Sequence, residues 1–173
     1  GLALKMSMYI AALVVLVVGA WGWAQARVVR KSAYDSIKRY GAAAALCLGR
    51  IGAAELDRYA KWKEANPDKG DPQPVIMPDL VELIDERSGQ PVAADIEDAV
   101  ILYGTNLVAS ATKDRPERLS NIVSESIGDH EFANVKCSRL VFWRANRGIP
   151  SYQFEVPIGN PRRGTARLII SSA

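Results

Sequence analysis

His130 stands between two acids in the polar stretch Gly128-Asp129-His130-Glu131 and is the single histidine of a 173-residue chain. An imidazole beside carboxylates can serve as a general base or as one metal ligand. Either task needs partners, and no second ligand or nucleophile stands at a recognisable spacing, so His130 reads as a solvated surface histidine. Ser124, Ser126 and Ser138 lack the elbow motif that presents a nucleophilic serine. Gly41, Gly49 and Gly52 match neither a phosphate-binding loop nor a dinucleotide fingerprint. Asp95, Glu97 and Asp98 cluster before the first clear strand signal, where a solvated face is the commoner reading and a cation-binding loop the rarer one. Cys47 and Cys137 lie far apart, outside any CxxC or CxxCH spacing, which excludes structural zinc and covalent haem. Cys47 sits in the Ala-rich run 42–48 and reads as a small buried hydrophobe. A disulfide with Cys137 is the lesser alternative, because spacing does not supply the Cα separation a bridge requires. The expectation is a protein that is not an enzyme, with no catalytic residue, no metal ligand and no cofactor.

The strongest element signal lies elsewhere. Met6 to Ala26 reads MSMYIAALVVLVVGAWGWAQA, an uncharged run bracketed by Lys5 and Arg27. About 20 such residues cross the hydrocarbon core of a bilayer as a helix. Tyr9 near one end and Trp21 and Trp23 near the other match the aromatic belts of membrane interfaces. The run is longer than a typical signal-peptide core, and Trp-Gly-Trp before Arg-rich sequence is a poor cleavage site. Residues 1–26 are therefore expected to be a retained anchor, with the lipid bilayer as first partner. Gly19 and Gly22 offer one small-residue surface for other membrane helices. The net charge of +3 is well mixed after the anchor, so nucleic-acid binding is disfavoured.

Beyond the anchor, residues 27–65 lack proline and place Val28, Ala33, Ile37, Tyr40, Ala44, Cys47 or Leu48, and Ile51 at helical steps. This predicts a long juxtamembrane helix whose three glycines mark a bend or a close helix contact. Pro67, Pro72 and Pro74 predict a loop. A short helix follows from Pro78 or Asp79, with Leu80, Val81, Leu83 and Ile84 inward and Gly89 after its end. Strand signals occupy 99–103, 107–110, 139–143, 151–156 and 166–171, and a further short helix is predicted over Ser120 to Ser126. The expected architecture is α+β: an N-terminal transmembrane helix continuing into a long helix, then an antiparallel sheet of about five strands over residues 66–173.

Three stretches carry a family resemblance: ARVVRKSAYDSIKRYGAAAALCLGRIGAAEL, AVILYGTNLVASATKDRPERL and YQFEVPIGNPRRGTARLIISS. Their order resembles the Cache and PAS-like extracytoplasmic sensor domains of bacterial receptors. The resemblance implies a soluble domain on the periplasmic side of a bacterial inner membrane. Arg27, Arg30, Lys31, Lys38 and Arg39 point the other way, because basic residues after a span favour the cytoplasm. It also implies a small-molecule site between sheet and covering helices. Tyr103, Arg139, Trp143 and Tyr152 are its candidate lining residues, with polar tips able to hold a carboxylate or amine. The plainer reading makes Trp143 and Tyr152 core or interface aromatics and Arg139 solvated.

Receptors of this kind continue into a second span and an output domain, and residues 1–173 contain neither. The leading expectation is therefore a single-pass accessory subunit of a larger respiratory or photosynthetic membrane complex, its Cache-like domain serving assembly or stabilisation. Its partners would be other membrane protein subunits, with an interface near Tyr34, Tyr40, Tyr59, Trp62 or Trp143. The alternative is a ligand-binding sensor domain of a signal-transduction receptor.

Overall fold

With no proline before Pro67 to remove a backbone donor, one helix, α1, runs unbroken over Leu2–Ala65 in a computed structural model of the chain. The structure describes residues 1–88, 94–111, 120–142, 151–159 and 164–172. It divides into two compact units, Gly1–Ser36 and Ile37–Ala173. In the first unit every residue from Lys5 to Ser36 is exposed, and the apolar part of α1 is long and apolar enough to cross a membrane.

Among the described residues, the second unit holds the rest of α1, the helix α2 (Leu80–Ser88), and seven strands. These are β1 (Val75–Ile76), β2 (Ala94–Tyr103), β3 (Asn106–Ser110), β4 (Ser120–Glu125), β5 (Lys136–Phe142), β6 (Ser151–Ile158) and β7 (Gly164–Ser172). They form one sheet in the order β1-β3-β2-β7-β6-β5-β4. All neighbours are antiparallel except β1, which lies parallel to β3. The α+β class stands as expected, but the sheet is mixed and has seven strands rather than five antiparallel ones. β1 is two residues long, too short to show a period of two. The helix expected at Ser120–Ser126 is instead β4, paired with β5 from Ser120↔Phe142 to Glu125↔Cys137. Ile122 and Val123 fit a pleated sheet at least as well as a helix, and the neighbouring strand decides the matter.

One face of the sheet carries the core. Phe154, Leu168, Ile170, Ile101 and Ala99 are fully buried there, clustered with Ala44, Ala45 and Leu48 of α1 and Leu80 and Ile84 of α2. Strand β6 alternates buried Tyr152, Phe154, Val156 and Ile158 with half-buried Gln153, Glu155 and Pro157, the period-two pattern of a strand buried on one face. Glycines let α1 approach closely. A Cβ at Gly41 would stand 2.2 Å from the Phe154 ring, and one at Gly52 2.9 Å from Ile158 Cδ1. The helix therefore tracks β6, with Gly41 over Phe154, Gly49 beside Val156 and Gly52 over Ile158. Of the two readings for these glycines, close contact holds, and the surface approached is a sheet.

The expected acidic loop before the first strand is a further correction: Asp95, Glu97 and Asp98 lie inside β2. A register shift against β7 between Ile96 and Asp98 makes Glu97 the extra, bulged residue. The shift places Ile96 opposite core-facing Ile170, and Ala99 opposite Leu168, while Asp98 takes the other face opposite Ile169. Spread along a bulged strand, the three carboxylates do not gather in a loop.

Candidate functional site

The two polar clusters of the core face sit at its opposite ends. At one end β4, β5 and β6 bring Glu125, Cys137, Arg139 and Tyr152 into neighbouring positions: Glu125 pairs with Cys137 and Arg139 with Tyr152. Directly opposed residues of antiparallel strands share a face, and this one meets α1. Lys38 of α1 completes the group. Its Nζ lies 2.6 Å from Glu125 Oε2, and Arg139 Nε lies 3.3 Å from Glu125 Oε1. The same ammonium sits 5.8 Å from the centre of the Tyr152 ring, within cation–π range. Arg39 and Asp129 add an outer pair at 3.9 Å.

Titration behaviour follows from this packing. Burial acts most strongly on the Lys38 ammonium and taken alone would lower its pKa; the hydrogen bond and charge of Glu125 together outweigh it and raise the value above 10.5. Burial also raises the Tyr152 phenol, with Glu125 adding to it, and pushes the Cys137 thiol up to about 11. Cys47 and Cys137 are both free thiols, and Cys137 is buried. Because the thiolate is the reactive form, iodoacetamide at pH 8 is expected to modify Cys137 of the folded chain about 100-fold more slowly than an ordinary thiol, with the rate recovering in denaturant. Mass spectrometry of the peptide containing Cys137 reads this directly, and rapid labelling of the native chain would contradict it.

At the other end, the last turns of α1 hold the loop after them. Tyr59 Oη donates to Asp71 Oδ1 at 2.8 Å, Lys63 Nζ lies 2.8 Å from the same oxygen, and Asn106 Nδ2 donates to Asp71 Oδ2 at 2.8 Å. The Tyr59 and Tyr103 rings meet at 5.3 Å between centroids. Asn106 follows the two-residue turn between β2 and β3, where Gly104 takes φ +61°, a conformation that favours glycine. Asp71 thus ties helix, loop and hairpin together. The Lys63 and Tyr59 hydrogen bonds lower its pKa below 3.8. A lowered carboxyl pKa favours folding above the unfolded value and loses that contribution as pH falls through the folded one. The protection of residues 66–74, measured relative to intrinsic exchange at each pH, is therefore expected to fall below about pH 3.8, and to be reduced at neutral pH in Asp71→Asn.

The four residues expected to line one pocket are divided. Arg139 and Tyr152 are neighbours at the Glu125 end. Tyr103, 41% exposed, belongs to the Asp71 end. The shared strand β7 measures the gap: Tyr152 pairs with Ile170, whereas Leu102, next to Tyr103, pairs with Thr165, a separation of about 20 Å at strand rise. Trp143 lies outside the described residues. Tyr152 is buried and Arg139 half exposed, close to the plainer reading of both. Among the aromatics expected at an interface, Tyr40 and Tyr59 are 2% and 5% exposed within this unit's own core. They are corrected to core residues, because α1 turns that face to the sheet. Tyr34 remains exposed. Tyr9, Trp21 and Trp23 are all exposed on the apolar part of α1.

His130 is exposed on a short 3₁₀ turn, His130–Phe132, which Asp129 caps by accepting from the Glu131 amide at 3.2 Å. Sequence reasoning missed Lys38, Glu125 and Asp71. Lys38 and Glu125 are 87 positions apart, and Glu125 falls in the segment read as helix, so no local signal joins them. Comparison with protein-family models, curated protein sequences and solved structures found no match.

Proposed function

We propose that this chain is a single-pass membrane-anchored accessory subunit, whose α+β domain, resembling Cache and PAS-like modules in the order of three sequence stretches, assembles or stabilises a larger membrane complex. One observation supports this reading: among the described residues, the polar groups of the two clusters are engaged with one another and divided between two ends of the sheet. Glu125 pairs with both Lys38 and Arg139, and Asp71 engages Lys63, Tyr59 and Asn106. Such clusters brace a scaffold. The exposed apolar helix supplies the surface that seeks lipid and neighbouring spans. The role is non-catalytic and uses no cofactor.

A photo-crosslinking side chain placed at Tyr34, or at Leu13 or Val17 in the apolar run, tests this in intact membranes. Adducts with other polypeptides at the same few masses from both regions are expected. Adducts with lipid or a second copy alone would overturn the assembly role. The domain is proposed to face the periplasm, so protease added to cells with a permeabilised outer membrane should digest it. Digestion only after inner-membrane rupture would reverse the orientation.

The adjacency of Arg139 and Tyr152 favours a second reading, the sensor domain of a signalling receptor, with a carboxylate-bearing ligand competing with Glu125 for Arg139.

A further inference from the structure

We propose that Arg27, Arg30 and Lys31 form a stripe that binds the phosphates of anionic phospholipids; this rests on the reading of the apolar run as a membrane anchor. The three follow the run directly, at helical steps of three and four, and so share one face of α1. All three are exposed, and no ion pair among the described residues engages them. Lys31 stands four residues before Asp35, the one acid in the first unit, yet the two form no ion pair.

Arg27 is also held in place. Its guanidinium carbon lies 3.7 Å from the centre of the Trp23 ring one helical turn earlier. Indole prefers the headgroup level of a bilayer, and a guanidinium stacked on it keeps its N–H fork free for a phosphate. Arg30 and Lys31 then add charge one turn further along. Basic residues near an anionic surface are attracted to it, each adding to the attraction of the others. A soluble phosphate would find the same donors, but not the apolar run that holds the stripe at headgroup depth.

Trp23 reports on the lipid beside it. The full chain is reconstituted in vesicles of phosphatidylcholine and phosphatidylglycerol at 7:3, with bromine on either the glycerol lipid or an equal amount of the choline lipid. Tryptophan emission is expected to fall at least about twofold further with brominated phosphatidylglycerol. That difference should vanish in R27Q/R30Q/K31Q and persist in R27K/R30K, which keeps the charge. Inorganic phosphate at matched ionic strength should leave it unchanged. Equal quenching by both lipids would overturn the stripe while leaving the membrane anchor standing. No quenching by either would remove the anchor and the stripe together. A preference that survives the triple substitution, or collapses under inorganic phosphate, would also overturn the proposal.

Discussion

Gly41→Val is expected to destabilise the folded domain by about 3 kcal/mol, the largest single-residue effect we anticipate. In a free helix the change would help slightly, since glycine costs about 1 kcal/mol against alanine and valine somewhat less. Packing reverses the sign. Even a methyl group at Gly41 would stand 2.2 and 2.4 Å from two carbons of the Phe154 ring and 2.8 Å from Ile170 Cδ1. Phe154 is fully buried, so its ring can yield only by displacing its neighbours in the core. Gly41→Ala should therefore cost about 2 kcal/mol and valine more. Gly52→Ala supplies the contrast. Its new methyl group would meet the ends of Ile158 and Ile101 at 2.9 to 3.1 Å, and isoleucine tips can swing aside, so helix propensity should bring that variant within about 1 kcal/mol of the parent. Denaturant midpoints of the detergent-solubilised chain measure all three. A Gly41→Ala variant as stable as the parent would show that α1 does not lie against β6 at this point.

Glu125→Ala is expected to cost about 2 kcal/mol, because it leaves Lys38 largely buried with no counter-charge and Arg139 beside it. Glu125→Gln keeps the volume and should cost less. The pH dependence separates a charge pair from simple packing. A pKa raised by folding means that the folded state holds the Lys38 proton more tightly. That contribution is complete below 10.5 and is lost as pH rises through the raised folded value. In Glu125→Gln the main groups that oppose burial are gone, so the pKa of the ammonium should fall. The difference in stability between parent and variant should then shrink over a window that opens below pH 10.5, where the variant's Lys38 loses its proton, and closes above it, where the parent's does. A difference constant from pH 7 to 11.5 would assign the effect to shape alone.

How much of this was legible in the sequence depends on whether the signal is local. The apolar run, the proline-free helix, its end before Asn66-Pro67 and the alternation of β6 are each patterns of contiguous sequence, and each appears where its pattern predicts. The close approach announced by Gly41 and Gly52 was readable as a possibility; its target, a phenylalanine more than a hundred positions away, was not. Strand β4 was misread because Ile122 and Val123 sit among polar residues in a segment too short to separate the two periods. The acidic residues of β2 were set outside the strand because a bulge interrupts the alternation that would have included them. For the candidate site, the grouping of the residues was not legible. Which of Tyr103, Arg139 and Tyr152 meet is fixed by strand register, and only the Arg139↔Tyr152 pair survives.

The assembly role rests on the chain having neighbours in its membrane, and the mass of the particle that leaves that membrane measures this most directly. Extraction of native membranes in a gentle detergent, followed by mass measurement of the particles containing this chain, is expected to recover it in a particle several times its own 18.9 kDa, with other polypeptides in fixed ratio. Recovery as a monomer or homodimer, together with tight binding of a small metabolite by the soluble domain, would contradict the assembly role and decide for the receptor.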